Sequence, residues 1–287
     1  MKSMNRALLL TATLFAAFSL QPHVWAANAA PDFNSDYQGK VLTLRHFYAG
    51  KHLVFQPDGS LAGSAAVGPW TVDGEIFINT IEARGRSLHI RGRRVGLVFD
   101  NRKEPGRDVL EWLEETKADD RDKRERAFRA NDVNIDIRLD TENPDDDGVK
   151  AAMNKVFLAP GESMREIVPD FWRDYFGQAE GQPQRIAYSG PLYAIKKGEV
   201  SVPRGTYMPN PAFSEEARVA KYQGTMTLSV VVDPSGRAQA VAIATPLGLG
   251  LDEKAVEQVR AWKFDPAMKD GEPVAVKIMV EVDFHLY

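Results

Sequence analysis

The stretch Val274-Ala275-Val276-Lys277-Ile278-Met279-Val280-Glu281-Val282-Asp283-Phe284-His285-Leu286-Tyr287 alternates without a break. Val274, Val276, Ile278, Val280, Val282, Phe284 and Leu286 fall on one side; Ala275, Lys277, Met279, Glu281, Asp283, His285 and Tyr287 fall on the other. Successive side chains of a β-strand point to opposite faces, so the pattern predicts one long strand with one buried face. Reading back from it, Gly271 offers a turn, and Asp252 is placed to cap a helix on which Ala255, Val256, Val259 and Trp262 share a face. Gly224 to Asp233 and Arg237 to Thr245 read as two strands joined by the turn Asp233-Pro234-Ser235-Gly236. Ser214 caps a further helix, with Glu215 and Glu216 in its first turn against the positive end of the dipole. The predicted order is helix, strand, strand, helix, strand. Trp262 and Phe264 read as core residues packing helix on strand.

Upstream, residues 36–101 read as a small antiparallel β-rich domain of short strands. Pro57-Asp58-Gly59 marks one turn, and Asp73-Gly74 marks a hairpin between Trp70-Thr71-Val72 and Glu75-Ile76-Phe77-Ile78. Ser87 to Ile90 and Val95 to Phe99 flank Gly92 as two more strands. Residues 102–190 begin with a charged arm, 18 charges in the 28 positions 102–129, expected as an exposed helix or a mobile segment. Val133, Ile135, Ile137 and Leu139 then alternate as one strand; Asn143 to Gly148 is a loop, and Val149 to Leu158 is helical. Met164 to Phe176 is apolar enough to pack, with Pro169 starting a helix. Residues 191–287 form the last domain, and the fold class is α+β.

The 287 residues are 44% hydrophobic and 26% charged, an ordinary globular balance that excludes wholly disordered and polytopic membrane chains. The net charge of −4 gives no basic excess to call for nucleic acid. Cys is absent, which removes disulfides, thiolate metal sites and Cys nucleophiles together. Lys2 and Arg6, the uncharged run Ala7 to Leu20, Pro22 and Val24-Trp25-Ala26 have the three parts of a secretory signal peptide over residues 1–26. The apolar run is shorter than the ~20 residues that span a bilayer comfortably. Cleavage with release into the periplasm is the expectation; an uncleaved inner-membrane anchor is the alternative.

No catalytic constellation emerges. Gly-x-Ser-x-Gly, His-Glu-x-x-His and Walker patterns are all missing from the sequence, and no cofactor or metal is expected. Gly248-Leu249-Gly250 sits between strand and helix like a phosphate loop but lacks a third Gly. Asn143, Asp145 and Asp147 imitate the start of a calcium loop whose bidentate Glu would be Asn154. Arg84, Arg86, Arg91, Arg93 and Arg94 form a basic cluster suited to an anionic partner or to a solvated strand edge. His46, His52 and His89 read as strand residues. The remaining feature is the long last strand. At a sheet edge it would offer unpaired N–H and C=O groups, so peptide binding by β-augmentation is the expected function.

The last ninety residues resemble the C-terminal domain of the TonB family. The resemblance rests on Pro209-Asn210-Pro211-Ala212-Phe213-Ser214-Glu215-Glu216-Ala217-Arg218, Gln223-Gly224-Thr225, Val231-Val232-Asp233 and Leu247 to Ala255. It continues through Val259 to Ala267, Gly271-Glu272-Pro273-Val274 and Val282-Asp283-Phe284. It implies a compact α/β domain with a three-stranded antiparallel sheet and two helices. It also implies that the domain grips the TonB box of an outer-membrane transporter by strand addition. The partner strand would lie on Val274, Val276, Ile278, Val280, Val282 and Phe284, with Pro211, Phe213 and Ser214 as a recognition segment before the first helix. A homodimer through the last strand is a further implied partner. The sequence departs from the family at Phe213-Ser214, where Tyr-Pro is usual, and has no Pro-rich spacer. Two readings result: an exported binding protein, or a membrane-retained energy transducer for siderophore or other nutrient transport.

Overall fold

The computed structural model describes residues 33–99, 110–112, 131–182 and 187–286. Residues 1–26, expected as a signal peptide, and nearly all of the charged arm lie outside the described residues. A short helix α1 (Phe33–Tyr37) precedes β1 (Val41–Thr43), β2 (His52–Phe55), β3 (Glu75–Arg84), β4 (Ser87–Val95), β5 (Leu97–Phe99), β6 (Leu110–Trp112) and β7 (Asp132–Arg138). Five of these make one sheet in the order β1-β3-β4-β7-β2. All its pairings are antiparallel except β2 with β7. The strand expected at 133–139 thus completes the sheet begun in residues 36–101. Helix α2 (Asp146–Val156) turns Val149, Ala152, Met153 and Val156 inward, and they share one buried cluster with Ile76, Ile78, Ile90 and Ile135 of the sheet. Asp145 is its N-cap, accepting the Gly148 N–H at 2.8 Å, so the calcium-loop residues serve the helix start.

Two turns differ from expectation. Asp73-Gly74 makes no hairpin: Trp70–Gly74 is a turn of π-helix, and β3 pairs instead with β4 around Gly85 and Arg86, Arg84 facing Ser87. The cause is tertiary. Trp70 is buried among Phe99, Trp172 and Phe176, and that burial outweighs the local turn signal. At Gly92, β4 runs straight through, opposite a bulge in β3. A Cβ there would lie 2.6 Å from the Phe77 carbonyl oxygen, which explains the glycine.

Helix α3 (Asp170–Ala179) starts directly after Pro169. It is followed by β8 (Arg204–Tyr207), α4 (Glu215–Ala220), β9 (Gly224–Val232), β10 (Ala238–Thr245), α5 (Leu251–Val259), β11 (Lys263–Asp265), β12 (Ala267–Lys269), β13 (Glu272–Val274) and β14 (Val276–Phe284). The expected helix–strand–strand–helix–strand order is present, with short pairs β8–β11 and β12–β13 added. The main sheet is three-stranded and antiparallel, in the order β10-β9-β14. Asp233 organises the β9–β10 turn, its Oδ1 accepting the N–H groups of Ser235 and Arg237. Met226, Leu228, Val230 and Val232 of β9 share a core with Ala255, Val256 and Val259 of α5 and with Val282 and Phe284 of β14. Trp262 and Phe264 join this core, with the Trp262 Nε1–H donated to the Pro209 carbonyl.

That core also contains Trp70, Leu97, Val98, Phe99 and Trp172, so described residues of both halves share apolar packing. The last strand is shorter than its alternation suggests. Val274 belongs to β13, paired with Ala267 around the Gly271 turn, and Ala275 is buried although the pattern puts it on the polar side. Pro273 and the Gly271 turn make a separate hairpin there, and β14 starts only at Val276.

Candidate functional site

β14 pairs along its whole length with β9, from Val276 opposite Val232 to Phe284 opposite Gly224, and lies at the sheet edge. The direction of its backbone groups follows from one contact. Tyr193 forms a parallel bridge to Val276, its N–H donating to the Ala275 carbonyl at 2.9 Å on the outer side. Backbone groups of consecutive strand residues point alternately to the two sides, so those of Met279, Glu281 and Asp283 face outward while those of even-numbered residues face β9. Among the described residues, Tyr193 makes the one bridge on that outer side.

The residues expected to hold a partner strand are therefore split. Val276, Val282 and Phe284 are buried in the core, Ile278 and Val280 are half-buried along the edge, and Val274 sits in β13. Their alternation identifies the core face, whereas the backbone groups that face outward belong to the odd-numbered residues. Met279, a residue 57% exposed, and Glu281 were not singled out by sequence; only the direction of a neighbouring chain reveals their place. In the recognition segment, Phe213 packs edge-on against Phe284 with ring centroids 5.4 Å apart. Pro211 is half-buried. Ser214 is buried, accepts the Ala217 N–H at 3.2 Å as cap of α4 and donates its hydroxyl to the Leu249 carbonyl.

The loop Leu247-Gly248-Leu249-Gly250 has no amide left for a phosphate. Leu247 and Gly248 N–H groups go to the two carboxylate oxygens of Asp252 at 2.8 and 2.7 Å. Leu249 N–H goes to the Leu97 carbonyl at 2.8 Å, and Gly250 N–H to Thr71 Oγ1 at 3.0 Å. Asp252 is thus a buried loop clasp, while Gly250 is the N-cap of α5. Gly248 has φ +97°, and a Cβ there would lie 2.3 Å from the Leu97 oxygen. Gly248→Ala is expected to cost about 2 kcal/mol or more, read as a fall in the denaturant midpoint, because both backbone strain and the clash with fixed main chain oppose it.

Next to the clasp, Glu253 Oε1 accepts the Trp172 indole N–H at 2.9 Å, and Glu253 Oε2 is buried without a partner among the described residues. Burial pushes both carboxyls upward, and the neighbouring Asp252 charge adds to the shift of Glu253. Glu75 is likewise pushed up to about 7 by burial, against a single hydrogen bond from Thr43 Oγ1. Asp252 and Glu75 are buried, and Glu253 is half-buried.

The basic cluster is divided. Arg94 is internal, donating to the carbonyls of Asp73, Tyr48 and Gly50, and Arg93 lies over the Phe77 ring. On the exposed sheet face His52 and His89 each approach a separate oxygen of Asp136 at 2.7 Å. Among the described residues no group of side chains is arranged to hold a metal ion. No described helix is long and apolar enough to cross a membrane.

Residues 209–286, from just before α4 through β14, match the family described as Gram-negative bacterial TonB protein C-terminal. The chain is 31% identical over 77 residues to Protein TonB of Vibrio cholerae serotype O1, covering 26% of this chain and 32% of that protein. It thus spans about a third of the length of this curated relative. The solution NMR structure of the Pseudomonas aeruginosa TonB CTD matches at 14% identity with a TM-score of 0.24, covering 34% of this chain and 99% of that one.

Proposed function

Residues 209–286 form a TonB-family C-terminal domain, and from that premise we propose that this protein binds a partner polypeptide by strand addition to β14. The observation that carries the reading is the outward-facing backbone of Met279, Glu281 and Asp283 at the sheet edge. A fourth strand there gains main-chain hydrogen bonds for affinity and side-chain pairs for selectivity. The role is binding rather than catalysis. The partner is a protein segment such as the TonB box of an outer-membrane transporter, and residues 1–26 direct the chain to the periplasm. A membrane-retained transducer for nutrient uptake is the second reading, favoured by the uncharged run Ala7 to Leu20.

Proline separates the edge from the sheet. The Met279 N–H points away from β9, so Met279→Pro removes a donor that only a partner uses. The Val280 N–H points at β9, so Val280→Pro breaks a ladder bond. Met279→Pro is expected to leave the melting transition within a few degrees and to weaken partner binding at least about tenfold, whereas Val280→Pro destabilises the fold by about 3 kcal/mol. Unchanged binding in a folded Met279→Pro protein would place the partner elsewhere.

A further inference from the structure

Building on the strand-addition reading, we infer that the open part of β14 selects a basic amphipathic strand. Such a strand carries apolar side chains on one face and Lys or Arg on the other, and it docks over Ile278 to Phe284.

The register is limited from within the chain. A strap of chain around Tyr193 occupies the outer side of β14 at its start through the Tyr193 bridge to Val276. The chain then turns back: the Lys196 carbonyl accepts the N–H groups of Glu199 and Val200, and Val200 bridges to Lys269. Among the described residues the strap supplies no rung beyond the start of β14, and an incoming strand takes the rungs that follow.

The two faces of those rungs differ in chemistry. On the even-numbered side, Ile278 and Val280 are only half-buried although they belong to the apolar core. An added strand would finish their burial with apolar side chains of its own. On the odd-numbered side Met279, Glu281 and Asp283 are exposed. Their cross-strand neighbours on β9 are Ser229, Thr227 and Thr225, none of them a cation, and Thr225 Oγ1 donates to Asp283 at 3.0 Å. Side chains of directly paired residues lie about 5 Å apart. A Lys or Arg opposite Glu281 or Asp283 meets a negative charge that β9 leaves unmatched, whereas an acidic residue there adds repulsion.

The test uses the full chain and synthetic peptides of about seven residues that alternate Val with Lys, with Gln or with Glu. The Lys series is expected to bind about tenfold more tightly than the Glu series at low salt, with the gap shrinking as salt is added. Glu281→Lys with Asp283→Lys should reverse the ranking. The gentler pair Glu281→Gln with Asp283→Asn should bring the two series within about twofold, which keeps the test decisive should the Lys variant misfold. Binding that ignores peptide charge, with the amides of Met279, Glu281 and Asp283 still protected, overturns this selectivity and leaves strand addition standing. No binding by any series, or a homodimer through β14 that excludes them all, overturns it together with the capture of a partner peptide.

Discussion

Replacing Trp172 by Ala is expected to destabilise the protein by about 3–5 kcal/mol, the range for removing a large buried aromatic side chain. Trp172 has no exposed surface. Its ring contacts Trp70 from the π turn, Phe99 from β5 and Phe176 from its own helix, and its indole N–H goes to Glu253 on α5. Three segments distant in sequence therefore lose packing together. The substitution also strips Glu253 Oε1 of its donor, beside an Oε2 that already has none among the described residues. Trp172→Phe retains most of the packing and loses only the donor, so it should cost about 1–3 kcal/mol, the penalty of leaving a buried acceptor unpaired. Chemical denaturation followed by tryptophan fluorescence and by far-UV dichroism checks both values. A near-silent Trp172→Ala would show that the two halves do not share this core.

The second large effect is on pH dependence. Glu75 has its pKa raised from 4.5 to about 7 in the folded chain, chiefly by burial. A carboxyl raised by folding favours the folded state while it stays protonated. Its contribution is complete below pH 4.5 and is lost as pH rises through about 7. The shift corresponds to a loss on the order of 3 kcal/mol across that window. Gln keeps the acceptor for the Thr43 hydroxyl and never ionises. Glu75→Gln should therefore match the parent near pH 4.5 and exceed it by about 3 kcal/mol near pH 8. Asp252 and Glu253 are shifted in the same direction, so the parent slope is steeper than Glu75 alone provides and the variant retains part of it. Equal stability of both proteins at every pH would mean that Glu75 is well solvated or paired.

Much of the C-terminal half was legible because its signals are local. The Asp233-Pro234-Ser235-Gly236 turn, the Ser214 cap and the period-two pattern of β14 each act within a few residues, and each appears in the fold. The failures share a cause in distance. Asp73-Gly74 carries a strong hairpin signal, yet Trp70 beside it is fixed by Trp172 about a hundred residues later. Asp252 looks like a helix cap, yet its carboxylate closes the loop before it, and that loop is held by Leu97 and Thr71 from the first half. Gly248-Leu249-Gly250 looks open in sequence for the same reason.

The candidate site was legible as an element and illegible as a surface. Alternation picks out the side chains that face the core. A strand added at this edge would instead meet the backbone between them, whose direction depends on which neighbour β14 already has on each side. That became readable from β9 on one side and Tyr193 on the other.

Residue-resolved amide hydrogen exchange on the full chain, with and without a strand-forming partner peptide, tests strand addition most directly. The account predicts that Met279, Glu281 and Asp283 exchange quickly in the free protein and become protected on binding, while Ile278, Val280 and Val282 are protected throughout by β9. New protection confined to any other surface, with the odd-numbered amides of β14 still exchanging freely beside bound partner, would contradict it.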